Sequence, residues 1–226
     1  MHVRDPTGVL MTPRTTHPIE LRAALVLDQM QPQFAATIAA NSDGYFPVAG
    51  EAAFWLEARP GIVINRLMDV ALKRCAVTPG ALITERSYGT LEVHGPDQGQ
   101  VREAGRLILE SASVDQADGL MPHVMTDEVV RQVDSHHAML INRSRAGMLL
   151  LAQDTLYTLE VNPALWVLLA ANEAEKAAPI RIVGLGNNGA VGRLRLAGTD
   201  AAIDAAVEAV HRALASVTGR ANTGVD

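Results

Sequence analysis

The chain can be laid over itself. At one constant offset (56 to 159), "FWLEARPGIVINRLMDVALKR" falls without a gap on "YTLEVNPALWVLLAANEAEKA": Leu56 meets Leu159, Glu57 meets Glu160, Pro60 meets Pro163, Ala71 meets Ala174 and Lys73 meets Lys176. The same offset runs on through Leu82 and Leu185, Gly89 and Gly192, Leu91 and Leu194, Gly95 and Gly198, and Asp97 and Asp200. Backwards it holds Gly44 on Gly147 and Val26 on Val129. Several of these identities are Gly and Pro at places where elements change. The register therefore reports a duplicated structural unit, which limits the architecture more than any local propensity does.

Each copy predicts the same succession. A strand (52–58 and 155–161) ends before a proline, since the residue ahead of proline is held extended, and Pro60 and Pro163 then suit the first turn of a helix over 60–76 and 163–178. A strand pair follows, 81–86 with 90–94 and 180–185 with 192–197, then a second helix over 98–112 and 200–217. Thr199 or Asp200 caps the last helix, whose Ile203, Val207, Val210, Leu214 and Val217 recur at steps of four and three. A further strand and helix precede each copy, "IELRAALVLD" with "PQFAATIAA" and "DEVVRQVDSHH" with "AMLINRS". The fold class is α/β in the broad sense and α+β in the strict one: two small units, each an antiparallel sheet with helices on one face. Residues 18–112 form the first domain and 120–219 the second, joined by the polar "SASVDQADG" at 111–119, with a mobile tail over 1–17 and a short tail over 220–226. The helix "PALWVLLAANEAEKAA" is apolar all round over its first two turns. It needs cover on more than one side, either from a partner subunit or from the other repeat.

Charge and composition narrow the function. A net charge of −6 and a pI of 5.6 argue against nucleic acid or an anionic membrane as partner. The first residues, "MHVRDPTGVLMTPRTTHP", hold no continuous apolar stretch, and the longest apolar run, Ala164 to Ala171, is too short to span a bilayer. The single cysteine, Cys75, has no intrachain partner and no metal-ligand spacing around it, which fits a reducing cytoplasm. His136 and His137 are adjacent, so on a helix they diverge by about 100° and do not share a metal easily. His94 lies two residues from Glu92 on one strand face, but that pair lacks a nucleophile or third ligand. Gly184, Gly186 and Gly189 spell G-x-G-x-x-G, yet "VGRLRLAG" alternates like a strand where a dinucleotide site needs a helix. These readings leave no catalytic residue, no metal site and no cofactor.

The repeated segments "PGIVINRLMDVALKRCAV", "ITERSYGTLEVHGPDQ", "VLLAANEAEKAA" and "GAVGRLRLAGTDAAIDAAVEA", in this order, resemble the tandem, circularly permuted shell proteins of bacterial microcompartments. The resemblance is closer to the trimeric carboxysome and metabolosome tiles with a gated pore, and covers residues 18 to 219. It implies two permuted shell domains per chain and a non-enzymatic homotrimer shaped as a pseudo-hexagonal plate. It also implies lateral tiling with other shell proteins, small metabolites passing a central pore, a place in the microcompartment shell in the cytoplasm, and, in this subgroup, face-to-face stacking of two trimers. The family's motif would place Glu85, Arg86 and Ser87 at the pore, with Asn187, Asn188 and Gly189 of the second copy between them. Glu85 and Arg86 would then form a gate, closed by pairing between neighbouring chains and opened by swinging aside. Lys73 and Lys176 would lie on the plate edge, although Arg74 departs from the small residue more usual there. Two other classes compete: a trimeric ligand-binding regulatory module of small α/β repeats, and an enzyme with its site at a subunit interface.

Overall fold

A computed structural model describes residues 18–42, 44–144 and 147–224. The expected mobile tail over 1–17, and the last two residues, lie outside the described residues. The first half runs β1 (Glu20–Leu27), α1 (Pro32–Ala40), β2 (Ala52–Arg59), a short 3₁₀ turn (Gly61–Val63), α2 (Ile64–Arg74), β3 (Thr78–Glu85), β4 (Tyr88–Gly95) and α3 (Gln98–Ala112). After a 3₁₀ turn at Gln116–Asp118 the second half repeats it as β5 (His123–Val130), α4 (Ser135–Arg143), β6 (Thr155–Asn162), α5 (Trp166–Ala177), β7 (Arg181–Gly186), β8 (Gly192–Gly198) and α6 (Asp200–Ala215). Each half builds an antiparallel four-stranded sheet, ordered β1-β2-β4-β3 and β5-β6-β8-β7. The strand-to-strand register slips between Leu21 and Ala23 and again between Val124 and Thr126, the same place in both copies.

The elements follow from the side chains they must bury. Phe54, Leu56 and Ala58 of β2 join Leu91 and Val93 of β4 in a core against α2 and α3. Ala53 and Trp55 point the other way, where Trp55 meets Phe34 of α1 edge to face at 5.9 Å. In the second sheet Tyr157, Leu159 and Val161 pack with α5 and α6, while Leu156 turns to a small cluster with Ala138 of α4. Helices thus cover both faces of each sheet, not one face as the sequence pattern suggested. The strand-to-helix prolines also differ from expectation: Pro60 is extended and leads a 3₁₀ turn, so the α-helix begins at Ile64 in the first copy and at Trp166 in the second. Gly89 and Gly192 are identical in the repeats because a Cβ at either would lie 2.1–2.2 Å from a carbonyl oxygen, that of Gly61 or of Ala164.

The helix α5 finds its cover within the chain. Its Trp166, Val167, Leu168, Ala170, Ala171 and Ala174 share one core with Ala23, Leu25 and Leu27 of β1 and Phe34 of α1. Polar contacts reinforce that joint: the Glu175 carboxylate accepts the backbone N–H groups of Gln33 (2.8 Å) and Phe34 (2.7 Å), and Asn172 Oδ1 accepts that of Gln31 (3.0 Å). The first turn of α1, which has no side-chain cap of its own, is therefore satisfied by the other repeat.

Candidate functional site

The connections β3–β4 and β7–β8 carry the residues singled out at the two turns. β3 and β4 pair down to Glu85 opposite Tyr88, leaving Arg86 and Ser87 as a two-residue turn. Arg86 takes a left-handed conformation (φ 54°), which a tight hairpin demands and a non-glycine residue seldom adopts. Glu85, Arg86 and Ser87 are all exposed, and among the described residues neither charge forms an ion pair within the chain. The β7–β8 connection is longer, and Gly189 at its apex also has positive φ (86°). Asn187, Asn188 and Gly189 are half-buried.

These two turns meet. A Cβ placed on Gly189 would lie 3.1–3.2 Å from all three terminal atoms of the Glu85 carboxyl, so the carboxylate rests on the bare backbone of the second repeat. Beside it, Asn188 Oδ1 is buried without a hydrogen-bond partner. Under both turns lies Arg22, fully buried on β1. Its Nε donates to Glu57 Oε1 at 2.7 Å and its NH2 to Asn162 Oδ1 at 3.4 Å, and its guanidinium carbon sits 4.3 Å from the centre of the Tyr88 ring. Glu57 Oε2 accepts the Leu165 N–H (2.9 Å), and Asn162 Nδ2 donates to the Ala190 carbonyl (3.1 Å). One buried cation thus ties the root of the first hairpin, through Tyr88, to the second turn, through Asn162. Arg22 was not singled out in the sequence, although an arginine in the middle of "ELRAALVL" is the signal that would have found it.

The other candidates fall away from these turns. Lys73 and Lys176 occupy the last turns of α2 and α5, both exposed, each paired with an acid one turn back: Asp69 at 2.7 Å and Glu173 at 3.6 Å. His94 and Glu92 form a buried pair at 3.0 Å. Burial pushes the Glu92 carboxyl up; burial alone would lower His94, but its hydrogen bond to Glu92 and the negative charges of Glu92 and Glu51 together outweigh this and raise it. His136 stands at the exposed start of α4, where Asp134 accepts its N–H. Among the described residues no cluster of three His, Cys, Asp or Glu side chains could hold a metal ion, and no helix is long and apolar enough to cross a membrane.

Residues 21–118 match the CsoS1D N-terminal domain family. The chain is 46% identical over 206 residues to the carboxysome shell protein CcmP of Synechococcus elongatus, covering 91% of this chain and 97% of that protein. It is 41% identical over 203 residues to the carboxysome shell protein CsoS1D of Hydrogenovibrio crunogenus, covering 89% and 99%. The chain belongs to the tandem-domain shell proteins of bacterial microcompartments. Solved structures agree on the fold of this shell protein. A fused permuted hexameric shell protein of the RMM microcompartment superposes with a TM-score of 0.86 at 38% identity, over 89% of this chain and 99% of that one. A double-ringed trimeric shell protein from the same microcompartment gives 0.87 at 34%, over 90% and 100%.

Proposed function

We propose that three copies of this shell protein close into a pseudo-hexagonal plate, a structural tile of the microcompartment shell that acts without catalysis. Around its axis the turns at 85–87 and 187–189 alternate and line a pore for small metabolites. The observation that carries this reading is the meeting of Glu85 with Gly189: two repeats related by one rotation bring equivalent turns together in a single chain. Repeating that rotation brings six turns around one axis. Among the described residues Glu85 and Arg86 have no ion-pair partner in their own chain, which suits both to pairing across chains. Exposed pairs contribute about 1 kcal/mol or less each, so a bound metabolite or a change of salt is enough to tip such a gate.

A second feature supports stacking of two plates. Tyr45, Phe46 and Val48 are exposed at the start of the approach to β2, and Met148, Leu149 and Leu151 are exposed at the matching positions of the second copy, all between 47% and 67%. Rotation about a plate axis leaves equivalent features on one face. Six apolar loops on one face form a surface that a second plate would cover.

The test is the native mass by light scattering at low and moderate salt. Three chains of 24.1 kDa give about 72 kDa, and a stacked pair twice that. A single-chain mass at every concentration would overturn the plate.

A further inference from the structure

The loop that follows α1, and its counterpart after α4, each dock on a bulge in the edge strand of their own sheet, but on different chemistry. The bulge falls at Gly80 in β3 and at Val183 in β7, positions that the repeat offset matches. In the first repeat the Tyr45 N–H donates to the Pro79 carbonyl at 3.0 Å and the Ser42 hydroxyl donates to that of Gly80; in the second, the Met148 N–H donates to the Ile182 carbonyl at 2.8 Å. Pro47 and Leu150, again a matched pair, are the buried residues of the two loops. Leu150 packs in an apolar cluster with Val183 and Ala197. The matching positions in the first repeat are Gly80 and His94. There Glu92 Oε2 lies 1.7 Å from where a Cβ on Gly80 would be, so the glycine makes room for a carboxylate.

Glu92 and His94 stand opposite Trp55 and Ala53 across the β2–β4 ladder, on the sheet face that carries α1. Both are buried, and His94 Nδ1 lies 3.0 and 3.2 Å from the two Glu92 oxygens. Among the described residues the further charge that acts on both is Glu51, at the end of the same loop, whose carboxylate accepts the Val48 N–H and whose carbonyl accepts that of Met30, both at 2.9 Å. α1 carries no charge, β3 carries only Glu85 at its far end, and Glu57 of β2 is held by Arg22. One proton shared between Glu92 and His94 keeps the pair neutral overall, whichever group holds it. Without that proton a buried carboxylate faces an uncharged imidazole and the negative Glu51, a costly arrangement that draws the carboxylate toward water.

We propose that Glu92, His94 and Gly80 form a proton-dependent latch that holds the loop over 42–51 on its bulge and releases it as pH rises, while the loop of the second repeat, seated on Val183 and Ala197, does not respond. The two groups act in one direction. His94 holds its proton more firmly in the folded chain, so its contribution is complete below its ordinary pKa of about 6.5 and is lost as pH rises through the folded value. Burial, with the Glu51 charge adding to it, disfavours the ionised Glu92 that a rising pH demands. The consequence for assembly rests on the stacking reading above: Tyr45, Phe46 and Val48 ride on the latched loop, so a stacked pair of plates is favoured at the lower pH.

Hydrogen exchange read by mass spectrometry tests the latch, with the second loop as the control inside the same molecule. Exchange in residues 44–48 and in 147–151, each divided by the rate of an unstructured peptide at that pH, gives a ratio that reports local opening alone. Between about pH 6 and about pH 9 the ratio should rise about fivefold or more in the wild type, and stay flat in Glu92→Gln, which keeps the shape of the side chain and removes its charge. A ratio that does not change with pH in the wild type, or that rises as much in Glu92→Gln, overturns the latch. Should Glu92→Gln fail to fold, the His94 ring signal in the wild-type NMR spectrum decides: its titration midpoint must coincide with the rise in exchange, and separate midpoints overturn the proposal. Native mass at the two pH values tests the consequence. Six chains at the lower pH and three at the higher support it; three chains at both overturn the stacking reading and leave the latch to the exchange data, and six at both, with the loop released, overturn the link between latch and stacking.

Discussion

At the residue scale, Arg22 and Glu57 form the most consequential pair in the chain. Both are buried, and the penalty for burying each is offset by contacts that include the other, the hydrogen bonds from Leu165 and to Asn162, and the Tyr88 ring over the guanidinium. Removing one partner takes from the other, still buried, the opposite charge that faces it at 2.7 Å. Glu57→Ala should cost about 3–5 kcal/mol in urea titration, and a double variant that also carries Arg22→Met should recover much of the loss. A Glu57→Ala chain as stable as the wild type would show that the pair is not buried. The duplication pointed to Glu57, through its identity with Glu160, but not to Arg22, which falls on Met125. A residue that breaks the repeat is invisible to a method that looks for matches, and here the break marks the joint that lies within one chain.

At the element scale, the repeats agree in their boundaries more closely than in their chemistry. β1, α1 and β2 begin and end at the same offset as β5, α4 and β6. The caps of the last helix in each copy do not correspond. Asp97 caps α3, accepting from Gly99 (2.8 Å) and Gln100 (3.1 Å), whereas its match Asp200 lies inside α6 and Thr199 is the cap, accepting from Ala202 (3.3 Å). Asp97→Ala and Thr199→Ala should therefore each cost about 1 kcal/mol by urea denaturation, a loss of the size usual for an N-cap. If Thr199→Ala were neutral, the cap would belong to Asp200. The sequence left this choice open because Thr and Asp both cap well. It also misplaced the helices relative to the sheets. Alternation within "AAFWLEA" is apolar on both sides, so it shows a strand buried on two faces but not which helix lies on which, and α1 finds its partner far away in sequence.

At the scale of the whole molecule, α5 illustrates what an amphipathic argument can and cannot decide. Its apolar first turns demanded cover on more than one side, and the sequence could not choose between a partner and the other repeat. The answer is β1 and α1 of the first repeat, held by Glu175 and Asn172. That choice depends on long-range packing, which no local pattern contains. The edge lysines make a prediction at this scale. Lys73 and Lys176 each pair with an acid on their own helix and remain largely exposed, so neither holds the fold together. Changing both to Asp should leave the native mass unaltered and abolish extended sheets in electron micrographs; sheets that persist would remove these residues from the plate edge.

The contact of Glu85 with Gly189 has a consequence for what a fused pair of repeats can do. In a ring of six identical loops, every tip would have to be the carboxylate and its seat at once, so no substitution could improve one role without spoiling the other. In the proposed plate, fusion writes each change three times round the ring instead of six. One tip is then free to carry charge while its neighbour becomes small enough to receive it, a division of labour that a single repeat cannot encode.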